Sequence, residues 1–143
     1  MSSTFEIPGR LMGMNEYTHL QRTHYRAGAR AKREETERVE AAIMAAGLRK
    51  FSCPVEIGIT YIEGKKKNGA LRDPDNISAG ARKFILDALV RQGIIPNDSP
   101  RYVRHFFEQY RYNENNPRIQ VRIMPAAPEG RSVFFAPVTG IKE

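Results

Sequence analysis

Val55-Glu56-Ile57-Gly58-Ile59-Thr60-Tyr61 alternates large apolar residues with polar or small ones over seven positions. Successive side chains in an extended chain point to opposite faces. The run therefore predicts a strand with Val55, Ile57, Ile59 and Tyr61 on a core face and Glu56, Gly58 and Thr60 facing solvent or a second layer. Gly64, Lys65, Lys66, Lys67, Asn68 and Gly69 follow as a solvated basic loop. The period then changes from two to that of a helix: Ile77, Ala81, Phe84, Ile85, Ala88 and Leu89 form one stripe over residues 77–92. Gly93 followed by Ile94 predicts a Schellman ending, with glycine in the left-handed region and isoleucine packing back. Pro96, Asn97, Asp98, Ser99 and Pro100 predict a turn. Residues 102–112 and 118–124 read as the two arms of a hairpin around a loop at 113–117, with Ile119, Val121 and Ile123 facing inward.

Upstream of that first strand, Val39, Ala42, Ile43 and Ala46 predict a helix over 27–46 that stops at Gly47. Phe5 and Ile7 predict a short opening strand, and Pro8 to Asn15 a loop carrying Arg10. These elements imply an α+β fold in which two helices pack on a mixed, largely antiparallel sheet. Residues 1–124 are expected to form one domain. Residues 125–143 hold Val133, Phe134 and Phe135, too apolar for a purely disordered tail, and are expected to add an edge strand or contact a dimer partner.

A chain of 143 residues can bury a core without a metal or disulfide staple, and its single cysteine, Cys53, fits a reducing cytoplasm. No apolar run approaches a membrane span and the N-terminus lacks a signal-peptide core, so a cytoplasmic protein without a membrane partner is expected. The net charge of +7 and a pI near 9.8 favour an anionic partner, of which nucleic acid is the commonest large one. Six tyrosines (Tyr17, Tyr25, Tyr61, Tyr102, Tyr110 and Tyr112), several beside arginines, could stack on bases; half-buried strand tyrosines are the commoner alternative.

The chemically informative segment is Arg72-Asp73-Pro74-Asp75-Asn76, where the chain enters the second predicted helix. In extended backbone, residues two apart face the same way, so Asp73 and Asp75 would present paired hard oxygen ligands of the kind magnesium or manganese takes. Pro74 biases Asp73 toward that extended form. Ordinary helix capping by Asp75 or Asn76 is the competing explanation, and it leaves Asp73, placed further upstream, unaccounted for. Asp98 lies beyond the helix, and its return toward the pair is a hypothesis.

Taken together, Arg72-Asp73-Pro74-Asp75-Asn76, Lys83-Phe84-Ile85-Leu86-Asp87-Ala88-Leu89, Gly93-Ile94-Ile95 and Asn97-Asp98 resemble the RusA family of Holliday-junction resolvases. The strongest correspondence covers residues 72–98. The resemblance implies that Asp73, Asp75 and Asp98 bind magnesium, with manganese as a possible substitute, and that Lys83 assists cleavage. A surface ion pair between Lys83 and Asp87 is the alternative for that lysine. Asn97 stands where some relatives carry a further acidic residue. The resemblance also implies a homodimer making paired nicks in a four-way DNA junction, in recombination and repair. Arg10, Lys65, Lys66, Lys67, Arg72 and Arg82, with Arg22, Arg26 and Arg30, would then meet the DNA, Arg82 also standing as a second cation for the transition state.

Rival chemistries are weaker. His19, His24 and His105 match no zinc-ligand spacing, no serine-nucleophile motif is present, and no glycine-rich phosphate loop occurs. Two alternatives remain: a non-catalytic basic protein that binds branched or single-stranded nucleic acid, and a metal phosphodiesterase for small nucleotides.

Overall fold

The computed structural model describes residues 3–64 and 71–127. The elements run β1 (Thr4–Pro8), α1 (Met14–Thr23), α2 (Tyr25–Ala46), β2 (Val55–Glu63), α3 (Pro74–Arg91), β3 (Val103–Tyr112) and β4 (Arg118–Pro125). The four strands form one sheet in the order β1-β4-β2-β3. β4 lies antiparallel to both β1 and β2, whereas β2 and β3 are parallel. The class is α+β with a mixed sheet, as the patterning predicts.

The core follows from register. Phe5 pairs with Val121, Ile7 and Tyr61 with Ile119, and Ile57 with Ile123. One sheet face is thus a continuous apolar surface, against which Val39, Ile43, Ile77, Phe84, Ile85 and Leu89 of the helices are buried. The predicted α3 stripe is the buried one, and Gly93 takes φ 69° with the Ile94 amide donating to Leu89 O at 2.9 Å, the expected Schellman closure. No helix among the described residues is long and apolar enough to cross a membrane.

Two expectations fail. Among the described residues there are three helices rather than two, because α1 occupies a stretch read as loop and unassigned chain. Of its ten residues Tyr17 alone is buried, edge-on to Phe84 at 5.6 Å, and a helix this short depends on such packing. The second failure concerns the hairpin. β3 and β4 are both strands, but β2 separates them, and β2-α3-β3 is a parallel crossover unit of the kind a helix normally bridges. The Asn113 amide donates to Glu63 O, so the chain turns over the end of β2. Crossing one strand spans about 10 Å, within reach of a five-residue loop. Apart from 125–127, the C-terminal segment lies outside the described residues. Within that remnant, the Ala126 amide donates to Pro54 O and the Ala127 amide to Glu56 Oε2.

Candidate functional site

The start of α3 is built around a buried ion pair. Glu63 ends β2 and is 4 % exposed. Arg72 donates from Nε and Nη2 to its two carboxylate oxygens at 2.7 and 2.8 Å, and from Nη1 to Leu11 O at 2.9 Å. All three guanidinium nitrogens are therefore engaged inside the protein. Arg72, expected among the DNA-contacting cations, instead ties the end of β2 and the β1–α1 loop to the entrance of α3, because a bidentate fork satisfies a buried carboxylate better than water-exposed contact would.

One residue on, Asp73 occupies the N-cap position with extended backbone, and Pro74 takes N1, where its missing amide is no loss. This corrects the placement of the cap at Asp75 or Asn76. The two aspartates consequently do not sit two apart along a strand: Asp73 lies at the cap and Asp75 in the first turn. Their freedom survives the correction. Asp73 makes no side-chain capping bond, both residues are exposed, and neither side chain has a hydrogen bond or ion pair with a described residue. The dipole at the helix N-terminus accounts for a stabilising acidic group there, but not for leaving the cap bond unmade. Asn76 is spent differently, its Oδ1 accepting from the Asn15 amide at 2.8 Å.

The β1–α1 loop is pressed onto this end of α3. A Cβ on Gly80 would collide with Met12 O and stand 2.9 Å from Gly13 C and Met14 N, and one on Gly13 would stand 2.6 Å from Asn76 Oδ1. From the other side, Glu35 accepts from the Met12 amide at 2.7 Å, and Arg38 donates to Arg10 O and Pro8 O. Arg10, exposed and without an acidic partner among the described residues, lines a cleft with Glu16, Glu35 and Arg72. Lys65, Lys66 and Lys67 lie outside the described residues.

The remaining expected site residues are elsewhere. Asp87 stands twelve residues after Asp75, about 18 Å along the helix axis, and Asp98 shares a cleft of about 590 Å³ with Asp87, Lys32, Arg33 and Arg91. A single chain therefore does not bring Asp98 to Asp73 and Asp75. Among the described residues no group of three or more His, Cys, Asp or Glu side chains is arranged to hold a metal. Lys83, about 12 Å along the axis from Asp75, lies over the Tyr17 ring at 5.9 Å, and in place of the alternative Lys83–Asp87 pair the structure has Lys32–Asp87 at 3.6 Å. Arg82 donates to Glu108 at 2.6 Å and covers Phe106, so it too is engaged within the fold. Glu108 also accepts from Tyr61 at 2.6 Å; burial first, then this bond and the carboxylate charge, hold the Tyr61 phenol well above its ordinary pKa.

Composition alone did not single out Tyr25 or Arg33. Tyr25 is 81 % exposed where α1 meets α2, and Arg33 continues the arginine row of α2. The available signal was the absence of any acidic residue between Glu16 and Glu34. Compared with protein-family models and with curated proteins, the chain matches none.

Proposed function

We propose that this chain is a magnesium-dependent endonuclease of the RusA type that acts on branched DNA as a homodimer. The observation that carries the reading is that Asp73 at the N-cap makes no capping bond and, with Asp75 in the first turn, leaves two unengaged carboxylates at the entrance of α3, within the run that resembles the resolvases. Magnesium is commonly held by one or two carboxylates, with waters and substrate phosphates completing its shell, so the donor chemistry of this pair fits. Asp73 and Asp75 would hold the ion. When bound there it supplies Lewis-acid activation of a phosphodiester.

Asp98 requires a second copy. Its own α3 keeps it beside Asp87, so it joins the same ion only if a partner subunit presents it. A two-fold dimer would do this twice, giving two equivalent sites for paired nicks. Lys83 acts across the same interface or serves only to pack on Tyr17. Arg10, Arg22, Arg26 and Arg30 neutralise phosphates of the DNA arms. Arg72 and Arg82 hold the fold that positions them.

The test is incubation with a labelled mobile four-way junction and a matched linear duplex, in magnesium or chelator. The proposal expects symmetric nicks in the junction, in magnesium only, abolished by Asp73→Asn while junction binding persists. Nicking of both DNAs at similar rates removes the resolvase assignment. Junction binding with no nicking under any metal leaves the non-catalytic binding protein as the reading.

A further inference from the structure

Five arginines of the described residues are matched by acids: Arg38 with Glu35, Arg72 with Glu63, Arg82 with Glu108, Arg91 with Glu40 and Arg118 with Glu6. Of the arginines without such a partner, four are gathered at the α1–α2 elbow. From residue 17 to residue 33 the chain carries Arg22, Arg26, Arg30, Lys32 and Arg33 and no acidic residue. Among the described residues none of those four arginines has an ion-pair partner, and all are exposed. Arg26, Arg30 and Arg33 recur at four and three, which aligns them along one face of α2 over about 10 Å.

Tyr25 projects at the head of that row. It is the most exposed of the six tyrosines at 81 %, while Tyr17 and Tyr61 are buried and Tyr110 and Tyr112 are 41 and 44 % exposed. A single exposed apolar side chain needs no explanation by itself. Here it stands on a braced elbow. The His24 amide donates to Leu20 O at 2.8 Å, the Gly28 amide to His24 O at 2.9 Å, and a Cβ on Gly28 would lie 3.1 Å from Gln21 Cα. The two helices thus meet at a tight backbone contact, which fixes the stretch of main chain from which Tyr25 projects into solvent.

We infer that the elbow is a stacking platform for an unpaired nucleotide: the base lies on the Tyr25 ring, while Arg22, Arg26, Arg30 and Arg33 follow the adjoining phosphates. Stacking is indifferent to base identity, because every base has a π-face, and the arginines supply sequence-independent attraction. The occupant is single-stranded or locally opened DNA or RNA. A fully paired duplex offers phosphates but no free ring. The inference rests on the nucleic-acid-binding half of the proposed function and is independent of cleavage.

The test measures binding of the full chain, in chelator, to a fluorescent oligothymidylate of about 16 nucleotides and to a duplex of equal length. Tyr25→Ala is expected to weaken the single strand roughly tenfold or more and the duplex less than about twofold, with Tyr25→Phe close to the parent. Arg26→Gln is expected to weaken both and to flatten the salt dependence of single-strand binding by about 0.7 in log–log slope. Because Tyr25 is exposed, an unchanged circular-dichroism melt shows that the variant is folded. Equal loss on both nucleic acids, no loss on either, or a parent chain that ignores single strands overturns the inference. Intact stacking without magnesium-dependent nicking would sink the enzyme reading and leave this one standing.

Discussion

Replacing Arg72 by methionine separates a structural role from a DNA contact, and the structure sets the magnitude. The substitution keeps much of the aliphatic stem but removes two charge-assisted bonds to Glu63 and one to Leu11 O. With side-chain exposures of 7 and 5 % for the pair, Glu63 is left charged, buried and unpaired. Breaking a buried pair in this way costs about 3–5 kcal/mol, which for a domain of this size lowers Tm by roughly 10 °C or more. Urea denaturation followed by circular dichroism, with the midpoint and slope fitted together, reads the loss directly. Replacing both partners, Arg72→Met with Glu63→Leu, should recover much of it, since no orphaned charge remains. Arg72→Lys should recover little, because a point charge cannot supply the fork. A loss below about 1 kcal/mol, coupled to a salt slope for DNA binding reduced by about one, would refute the reasoning and return Arg72 to the phosphate-contacting set.

Three further outcomes follow from named contacts. Gly80→Ala should cost about 1–3 kcal/mol and weaken cleavage more than DNA binding, because the methyl drives the Met12–Met14 backbone away from α3; thermal melts and a nicking assay check it, and an unchanged Tm contradicts it. Tyr61 has a folded pKa raised by burial and by Glu108, so its contribution is intact below the unfolded value of about 10 and is lost as pH rises beyond it. Parent Tm should therefore fall more steeply than that of Tyr61→Phe above about pH 10, and parallel slopes would contradict the assignment. Mixing Asp75→Asn with Asp98→Asn protein should restore nicking that neither shows alone, because one of the two sites in the mixed dimer then combines intact residues from both chains; no restoration would place Asp98 outside the shared site.

Much of the fold is legible in periodicity. The alternation at 55–61 and the inward row Ile119, Val121 and Ile123 are strands, and the stripes of α2 and α3 are the buried ones. Alternation reports which face a residue takes but not which strand lies beside it, and so β3 and β4 look like a hairpin although β2 runs between them. α1 escaped because its one buried anchor, Tyr17, finds Phe84 only in three dimensions. At the site, Asp73-Pro74-Asp75 was readable as the entrance to a helix. The partition of its charges was not: whether Arg72 meets Glu63 or a phosphate depends on where β2 ends, and the distance of Asp98 depends on the direction of α3. Local spacing encodes neither.

Ion binding at the entrance of α3 is the step on which the proposed function depends. Manganese uptake by the chain bound to a four-way junction can be followed by electron paramagnetic resonance, comparing the parent with Asp73→Asn/Asp75→Asn. The account predicts manganese immobilised by the parent complex and free in the double variant at equal DNA occupancy. Equal immobilisation after both carboxylates are removed would contradict it.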